Sequence, residues 1–286
     1  MTLIQGILLG ALQGLAEFLP ISSSGHLAIA QKLFDLDELP LLFDVFLHLA
    51  TLAAVCLYFR KKIWTLLKCF GRWITRRPLI EETGFSQDDL LCGSDQLGRK
   101  TIVAIILSTI VTGAIGVITS KLIPDLPIHF ICIGFLVTSA LLIISAIIEK
   151  NASVKAQSVT ESKGISKKQS LFIGLMQGVG TLPGISRSGS TIAGALLCKV
   201  DRQAAGEYSF IISIPAILGA FILELKDLGD VSESVGLLPL ILGCLTAFLV
   251  GYFSLAVLMK TIRKGKLQWF ACYLIPVAIL GLIFLK

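Results

Sequence analysis

The stretch GALQGLAEFLPISSSGH at residues 10–26 recurs at residues 174–190 as GLMQGVGTLPGISRSGS. Gly10, Gln13, Gly14, Ser22, Ser24 and Gly25 return as Gly174, Gln177, Gly178, Ser186, Ser188 and Gly189 at a constant offset of 164, with Pro20 and Pro183 displaced by one. Each copy begins as an apolar helix and then meets a cluster of Pro, Gly and Ser. Pro lacks an N–H donor and Gly weakens helix, so neither copy can continue as regular helix. Two unrelated helix breaks would not share the Gln and Gly spacing. The pattern reads as an internal repeat whose units, 1–35 and 169–199, are helix–loop–helix hairpins.

The chain around the repeat is apolar. Hydrophobic residues make up 55% and charged residues 15%, with a mean hydropathy of +0.85. Soluble domains run to about a quarter charged. Six uninterrupted stretches, 39–59, 101–119, 128–148, 207–224, 236–259 and 267–285, come near the ~20 residues that cross ~30 Å of hydrocarbon. Irregular backbone at membrane depth is tolerated only where protein or a water-filled cavity covers it, so the two hairpins are expected to be re-entrant. The expected fold is an all-α polytopic membrane protein: six transmembrane helices plus two re-entrant hairpins in one membrane domain, with repeat halves 1–155 and 165–286. Three spans follow each hairpin. Three is odd, so the second half should be inverted relative to the first, with the site where the broken helices meet.

Charge orients the spans. The segment 60–100 holds nine Lys and Arg, and 149–168 and 260–266 are also basic. The loops 120–127 and 225–235 together carry more acid than base. Basic loops belong in the cytoplasm. The first hairpin then enters from outside and the second from the cytoplasm. The net charge of +6 is thus a topology signal. No basic patch interleaved with aromatics is present, which sets nucleic acid aside. The apolar run from Leu3 to Pro20 has no Lys or Arg before it and reads as retained, not as a cleaved signal. The seven scattered cysteines read as small buried hydrophobes, with neither a disulfide framework nor a zinc site. Segment 60–100 is more charged than a simple connection needs, and its role is not legible.

The chemistry lies where the copies differ. Glu17, Ser23 and His26 in the first stand opposite Thr181, Arg187 and Ser190 in the second. An ionisable group inside a membrane is a functional hypothesis by default. Arg187 in a Ser/Gly turn suits phosphate, because a guanidinium matches two phosphate oxygens at once. Ser22, Ser24, Ser186, Ser188, Gly189 and Thr191 would add hydroxyl and turn N–H donors. A second helix starting just after Gly189 would aim its N-terminus at the anion. The bland alternative pairs Arg187 with Glu17 as a buried ion pair. His26, beside the Ser cluster, could be a nucleophile or an acid–base group. Gln13 and Glu17 share a helix face and could help hold a hard divalent cation, Mg²⁺ or Ca²⁺, which prefers oxygen ligands. His48 and His129 lack such company and read as structural. Asp44, Asp201 and Glu207 read as solvated helix-end charges.

Two motifs, Gln13 to Glu17 running into Pro20-x-Ser-Ser-x-Gly-His26, and Pro183-Gly-x-Ser-Arg-Ser-Gly-x-Thr191, resemble those of the bacterial integral-membrane undecaprenyl-diphosphate phosphatases of the bacitracin-resistance type. The resemblance extends over nearly the whole chain. It implies hydrolysis of a C55 polyprenyl diphosphate to the monophosphate and inorganic phosphate, which recycles the lipid carrier for wall synthesis. It also implies dependence on a divalent cation, residence in the bacterial cytoplasmic membrane and a site open to the outer face. Six spans with two re-entrant hairpins in inverted repeats are implied as well. Carried over by position, Glu17, Ser23, His26 and Arg187 would be central. Gln13 stands where many members have Glu, which leaves its share in metal binding open. A second membrane phosphatase class shares a Ser-Gly-His element but needs an Arg-x5-His-x3-Asp element that neither His48 nor His129 supplies. The rival reading is a transporter or flippase for a lipid phosphate or other anion, since broken helices in inverted repeats also build transporters. A pure transporter has no need of Ser23 and His26 beside Arg187. The expected partners are the polyprenyl diphosphate and bilayer lipid; the oligomeric state, a homodimer included, is left open.

Overall fold

The structure, a computed structural model, describes residues 1–36, 39, 41–80, 84, 89–122, 127–155, 164–224 and 235–284. The described residues are all-helical: α1 (Leu3–Phe18), α2 (Ser23–Leu33), α3 (Leu41–Tyr58), α4 (Arg60–Ile74), α5 (Asp95–Leu122), α6 (Ile128–Lys155), α7 (Lys167–Val179), α8 (Arg187–Leu197), α9 (Arg202–Glu224), α10 (Leu237–Arg263) and α11 (Trp269–Phe284). Four of them, over Asp95–Lys121, Ile128–Glu149, Arg202–Leu223 and Leu237–Arg263, are long and apolar enough to cross a membrane. The pair α3 and α4 is apolar enough only when taken together and is bent by 80° at its break, and α11 is a shorter apolar helix. The chain is a multi-pass membrane protein.

Both hairpins are broken helices, as the repeat predicts, and their likeness goes deeper than the motif. Thr2 and Gln5 form a capping box at the start of α1, and Ser166 and Gln169 form the same box at the start of α7, again 164 residues apart. The two Gln amides cap the far ends of the hairpins. Gln5 Nε2 donates to the Phe34 carbonyl at 3.4 Å and Gln169 Nε2 to the Cys198 carbonyl at 2.9 Å. The next residues, Asp35 and Lys199, both take positive φ, 54° and 60°, as a left-handed helix end requires.

Small residues set the packing. A Cβ built on Gly10 would lie 2.1 Å from the Gly243 carbonyl oxygen, and Gly6 and Gly14 meet Pro239 and Ala247 almost as closely. This four-residue stripe lets α1 and α10 approach backbone to backbone. In the second half Gly174 and Gly178 press on Ser108 and Ile115 of α5. Each hairpin therefore lies on a helix of the other half, α1 on α10 and α7 on α5, while α6 packs against α11 and α3 against α9. Gly184, at φ 86°, sets the second loop directly on the Ile131 backbone of α6.

Several expectations are corrected. Segment 60–100 is not simply a loop: it holds α4, and α5 starts at Asp95, six residues before position 101. The α4 pattern is helical. Lys62, Leu66 and Cys69 are buried, while Leu67, Phe70 and Ile74 form an exposed apolar face. Helix α6 runs to Lys155, past the expected span end at 148, and α8 begins at Arg187, not after Gly189. Glu207 is no solvated end charge; it is buried and ion-paired to Lys62, which also pairs with Asp89. Asp44 is half-buried and accepts from Gln31 Nε2 at 2.7 Å. Asp201 is exposed and caps α9 through Gln203 and Ala204, as a helix-end charge does. No disulfide links the cysteines. Of the predicted loops 120–127, 149–168 and 225–235, residues 123–126, 156–163 and 225–234 lie outside the described residues, and the start of 149–168 is the end of α6.

Candidate functional site where the two broken helices meet

Glu17 ends α1, and the chain turns through Leu19 to Ile21 before α2 starts at Ser23. The turn is strained. Ser22 caps α2 with φ 68° and ψ 94°, a backbone region that L residues rarely occupy. Its hydroxyl accepts from Gly25 N, and its carbonyl receives His26 N at 3.2 Å and lies 2.8 Å from His26 Nδ1. The second loop is capped by Ser186, whose hydroxyl accepts from Gly189 N at 3.0 Å. The Ser186 backbone N–H donates to Thr138 Oγ1 on α6 at 2.9 Å. The loops touch: Ser188 Oγ reaches the Leu19 carbonyl at 3.5 Å, and Gly189 faces the Pro20 ring.

Glu17 is the hub, and it is 5% exposed. Ser23 Oγ donates to its Oε2 at 2.6 Å, and Gln13 Nε2 donates to the same oxygen at 3.1 Å. Arg187 donates to its Oε1 as an ion pair. This contact is the ion pair of the bland alternative, made at the junction where the phosphate reading also puts Arg187. Among the described residues Glu17 is the only acceptor of the Arg187 guanidinium, which leaves further N–H groups of its fork for an anion. A buried carboxylate without partners would be costly, and here two donors and a guanidinium compensate it.

His48 joins this hub, which corrects the expectation of a structural role. Its Nδ1 lies 2.8 Å from Gln13 Nε2 and 3.1 Å from Glu17 Oε2. One ring nitrogen serves only one of these at a time. With Nδ1 unprotonated it accepts from Gln13; with a proton on Nδ1, in the neutral or the charged ring, it donates to Glu17. The missed signal was the pair Asp44 and His48, two ionisable groups one helical turn apart inside an apolar stretch. His26 points elsewhere. Its Nε2 lies 3.0 Å from Tyr273 Oη on α11, its ring stacks on Tyr273 at 5.7 Å and 15°, and Phe135 packs at 5.0 Å. No recorded contact joins His26 to Glu17, Ser23 or Arg187. Nothing in the sequence flags Tyr273.

The other predicted donors divide. Ser22, Ser186 and Ser188 are buried at the junction, Gly189 lies in its floor and Ser24 is exposed at its rim. Thr191 turns away: its hydroxyl bonds the Arg187 and Ser188 carbonyls and Ser209 on α9. His129, on the first turn of α6, takes no recorded part. For a cation, the observation that matters is Gln13 Oε1, a buried oxygen without a partner, on the helix face that carries Glu17. An orphaned oxygen beside a carboxylate fits a hard cation. Among the described residues no group of three or more His, Cys, Asp or Glu could hold a metal, so substrate oxygens would have to complete the shell.

Residues 6–280 match the family described as bacitracin resistance protein BacA. A Treponema denticola protein named undecaprenyl-diphosphatase is 47% identical over 279 residues, covering 98% of this chain and 96% of that protein. Proteins of the same name from Desulforapulum autotrophicum and Methanobrevibacter smithii are 38% and 37% identical, covering 99% and 96% of this chain and 98% and 94% of their own. With its repeat, its two joined loops and a match across nearly its whole length, the chain belongs to the BacA bacitracin resistance family.

Proposed function

We propose that the chain hydrolyses undecaprenyl diphosphate to undecaprenyl phosphate and inorganic phosphate, and so recycles the lipid carrier for wall synthesis and gives bacitracin resistance. The observation that carries this is the contact of Ser23 and Arg187, from opposite halves of the chain, with the one carboxylate of Glu17. The relatives' shared name supports it.

The terminal phosphate sits against Arg187 and the Ser186–Gly189 turn. Ser23 Oγ attacks the terminal phosphorus while Glu17, already its acceptor, takes the proton. The anhydride P–O bond breaks and the lipid monophosphate leaves, taking that proton from Glu17; water then attacks the phosphoserine with Glu17 as base, the Ser23 Oγ–P bond breaks, Glu17 returns the proton to Ser23 Oγ and inorganic phosphate leaves. Glu17 and Gln13 would hold the divalent cation, Mg²⁺ or Ca²⁺, which when bound neutralises charge on the diphosphate. A pure carrier has no use for a hydroxyl aimed at a buried carboxylate, which disfavours the transporter reading. The cytoplasmic membrane is the site of action. The fold reads there as six spans and two re-entrant hairpins in inverted repeat, with α11 and α3 as the shorter spans and the cleft open outward. Both loops come from one chain, so a homodimer would not be needed for the chemistry.

Purified protein should release phosphate from undecaprenyl diphosphate, and EDTA should stop it until Mg²⁺ or Ca²⁺ is restored. Folded protein that releases no phosphate from any polyprenyl diphosphate sinks the proposal.

A further inference from the structure

At the basic end of the bundle a cavity of about 490 Å³ opens between α4, α5 and the start of α7. Trp73, Leu79 and Val103 supply apolar wall, and Arg99, Lys100 and Lys167 stand along it. None of these residues belongs to the site built around Glu17. The position fits a membrane boundary. Helix α5 changes here from charged to apolar, and α4 leaves α3 at 80° with Leu67, Phe70 and Ile74 exposed along one side. Trp64 and Trp73 on α4 are exposed, as side chains at the headgroup level are, and Lys68 lies 5.6 Å from the Trp64 ring centre.

The electrostatics ask for an anion. Arg72 and Arg99 both pair with the single carboxylate of Asp95, which is fully buried, so two guanidiniums share one negative charge. The Nε atoms of Arg72 and Arg99 are buried without a partner. Lys167, exposed at the first turn of α7, adds to the positive field.

We infer that this groove binds an anionic phospholipid of the surrounding leaflet, its phosphate among Arg99, Lys100 and Lys167 and its first methylenes against Trp73, Leu79 and Val103. A bilayer phospholipid fits better than a C55 chain: the cavity of about 490 Å³ holds a headgroup and short lengths of tail, and Trp73 in its wall sets it at headgroup depth. A basic pocket beside membrane helices is the recognised chemistry for such headgroups.

The test is native mass spectrometry of detergent-purified protein offered equal dioleoylphosphatidylglycerol and dioleoylphosphatidylcholine. The comparison variant is Lys100→Glu with Lys167→Glu, which leaves the Arg72–Asp95–Arg99 pairs in place. Wild type should retain phosphatidylglycerol preferentially, and the double variant should lower that preference roughly tenfold or more, because two basic side chains are lost from the headgroup site. As a local readout, protein carrying Trp73 as its one tryptophan should be quenched by brominated phosphatidylglycerol and not by brominated phosphatidylcholine. Equal retention of the two lipids, an unchanged preference in the double variant, no quenching of Trp73, or displacement of phosphatidylglycerol by an equal amount of undecaprenyl phosphate would each overturn the inference. Phosphate release by the double variant should stay near wild type, so this outcome is independent of the phosphatase reading.

Discussion

Glu17 is the residue on which the site turns, because Gln13, Ser23, His48 and Arg187 all meet at its two oxygens. Arg187→Ala removes the group that compensates Glu17 and grips phosphate, and turnover should fall at least about a hundredfold. Arg187→Lys keeps the charge but not the planar fork, and should recover only a small part of the loss in the same phosphate-release assay. Tyr273 makes a subtler prediction. The Ser22 carbonyl can only accept, so His26 Nδ1 carries a proton and, in the neutral ring, Nε2 accepts from the Tyr273 hydroxyl. Tyr273→Phe keeps the stacked ring and removes this bond. It should cost about 0.5–1.5 kcal/mol of stability in thermal unfolding and leave α2 loosely held. That Glu17, Ser23 and Arg187 come together was legible because they interrupt an apolar repeat; that His26 turns to Tyr273 was not. Tyr273 itself was not legible, since its partner lies 247 residues away and only packing brings them together, whereas His48 had a signal in its pairing with Asp44 one helical turn before it.

At the scale of the elements, close glycine contacts and one buried ion cluster hold the frame. Gly10→Leu would drive a side chain into the Gly243 carbonyl, and α1 would have to leave α10. A loss of about 1–3 kcal/mol or more should follow, read as a lower melting temperature in detergent together with lost activity. Lys62→Met would strand Glu207 in the interior, an unpaired buried charge that costs about 3–5 kcal/mol. Expression as aggregate is the corresponding readout; a variant as stable as wild type would show the cluster to be dispensable. The hairpins were legible because Pro, Gly and Ser stop helices wherever they cluster. Helix α4 was missed because its Lys and Arg suggested a loop, whereas the spacing of Lys62, Leu66 and Cys69 is that of one buried helical stripe. The matching capping boxes at Thr2 and Ser166 lie ahead of the repeated motif, where only a hydroxyl residue and a Gln recur around unlike neighbours, Leu3-Ile4 and Lys167-Lys168.

For the whole molecule, the two halves are not side by side: each hairpin rests on the other half's helix. That is why one site can draw Ser23 from one half and Arg187 from the other. The proposed orientation puts the turn at Gly265 and the groove at Lys167 in the cytoplasm. In a cysteine-free background, a single cysteine at either position should react with an impermeant maleimide in inverted vesicles and stay unlabelled in intact cells. Labelling from outside would reverse the assigned topology. Length and hydropathy foretold the membrane class. The choice of which helices touch was not legible, because small-residue stripes such as Gly6, Gly10 and Gly14 show that a close partner exists without saying which one it is.

The central claim is that loops from the two halves make one phosphatase site, and four proteins test it: wild type, Ser23→Ala, Arg187→Ala and the double variant, each assayed for phosphate release from undecaprenyl diphosphate with divalent cation present. Groups acting as one unit are not additive, so each single variant should fall close to background and the double variant little further. Release near the wild-type rate in either folded single variant would contradict the account.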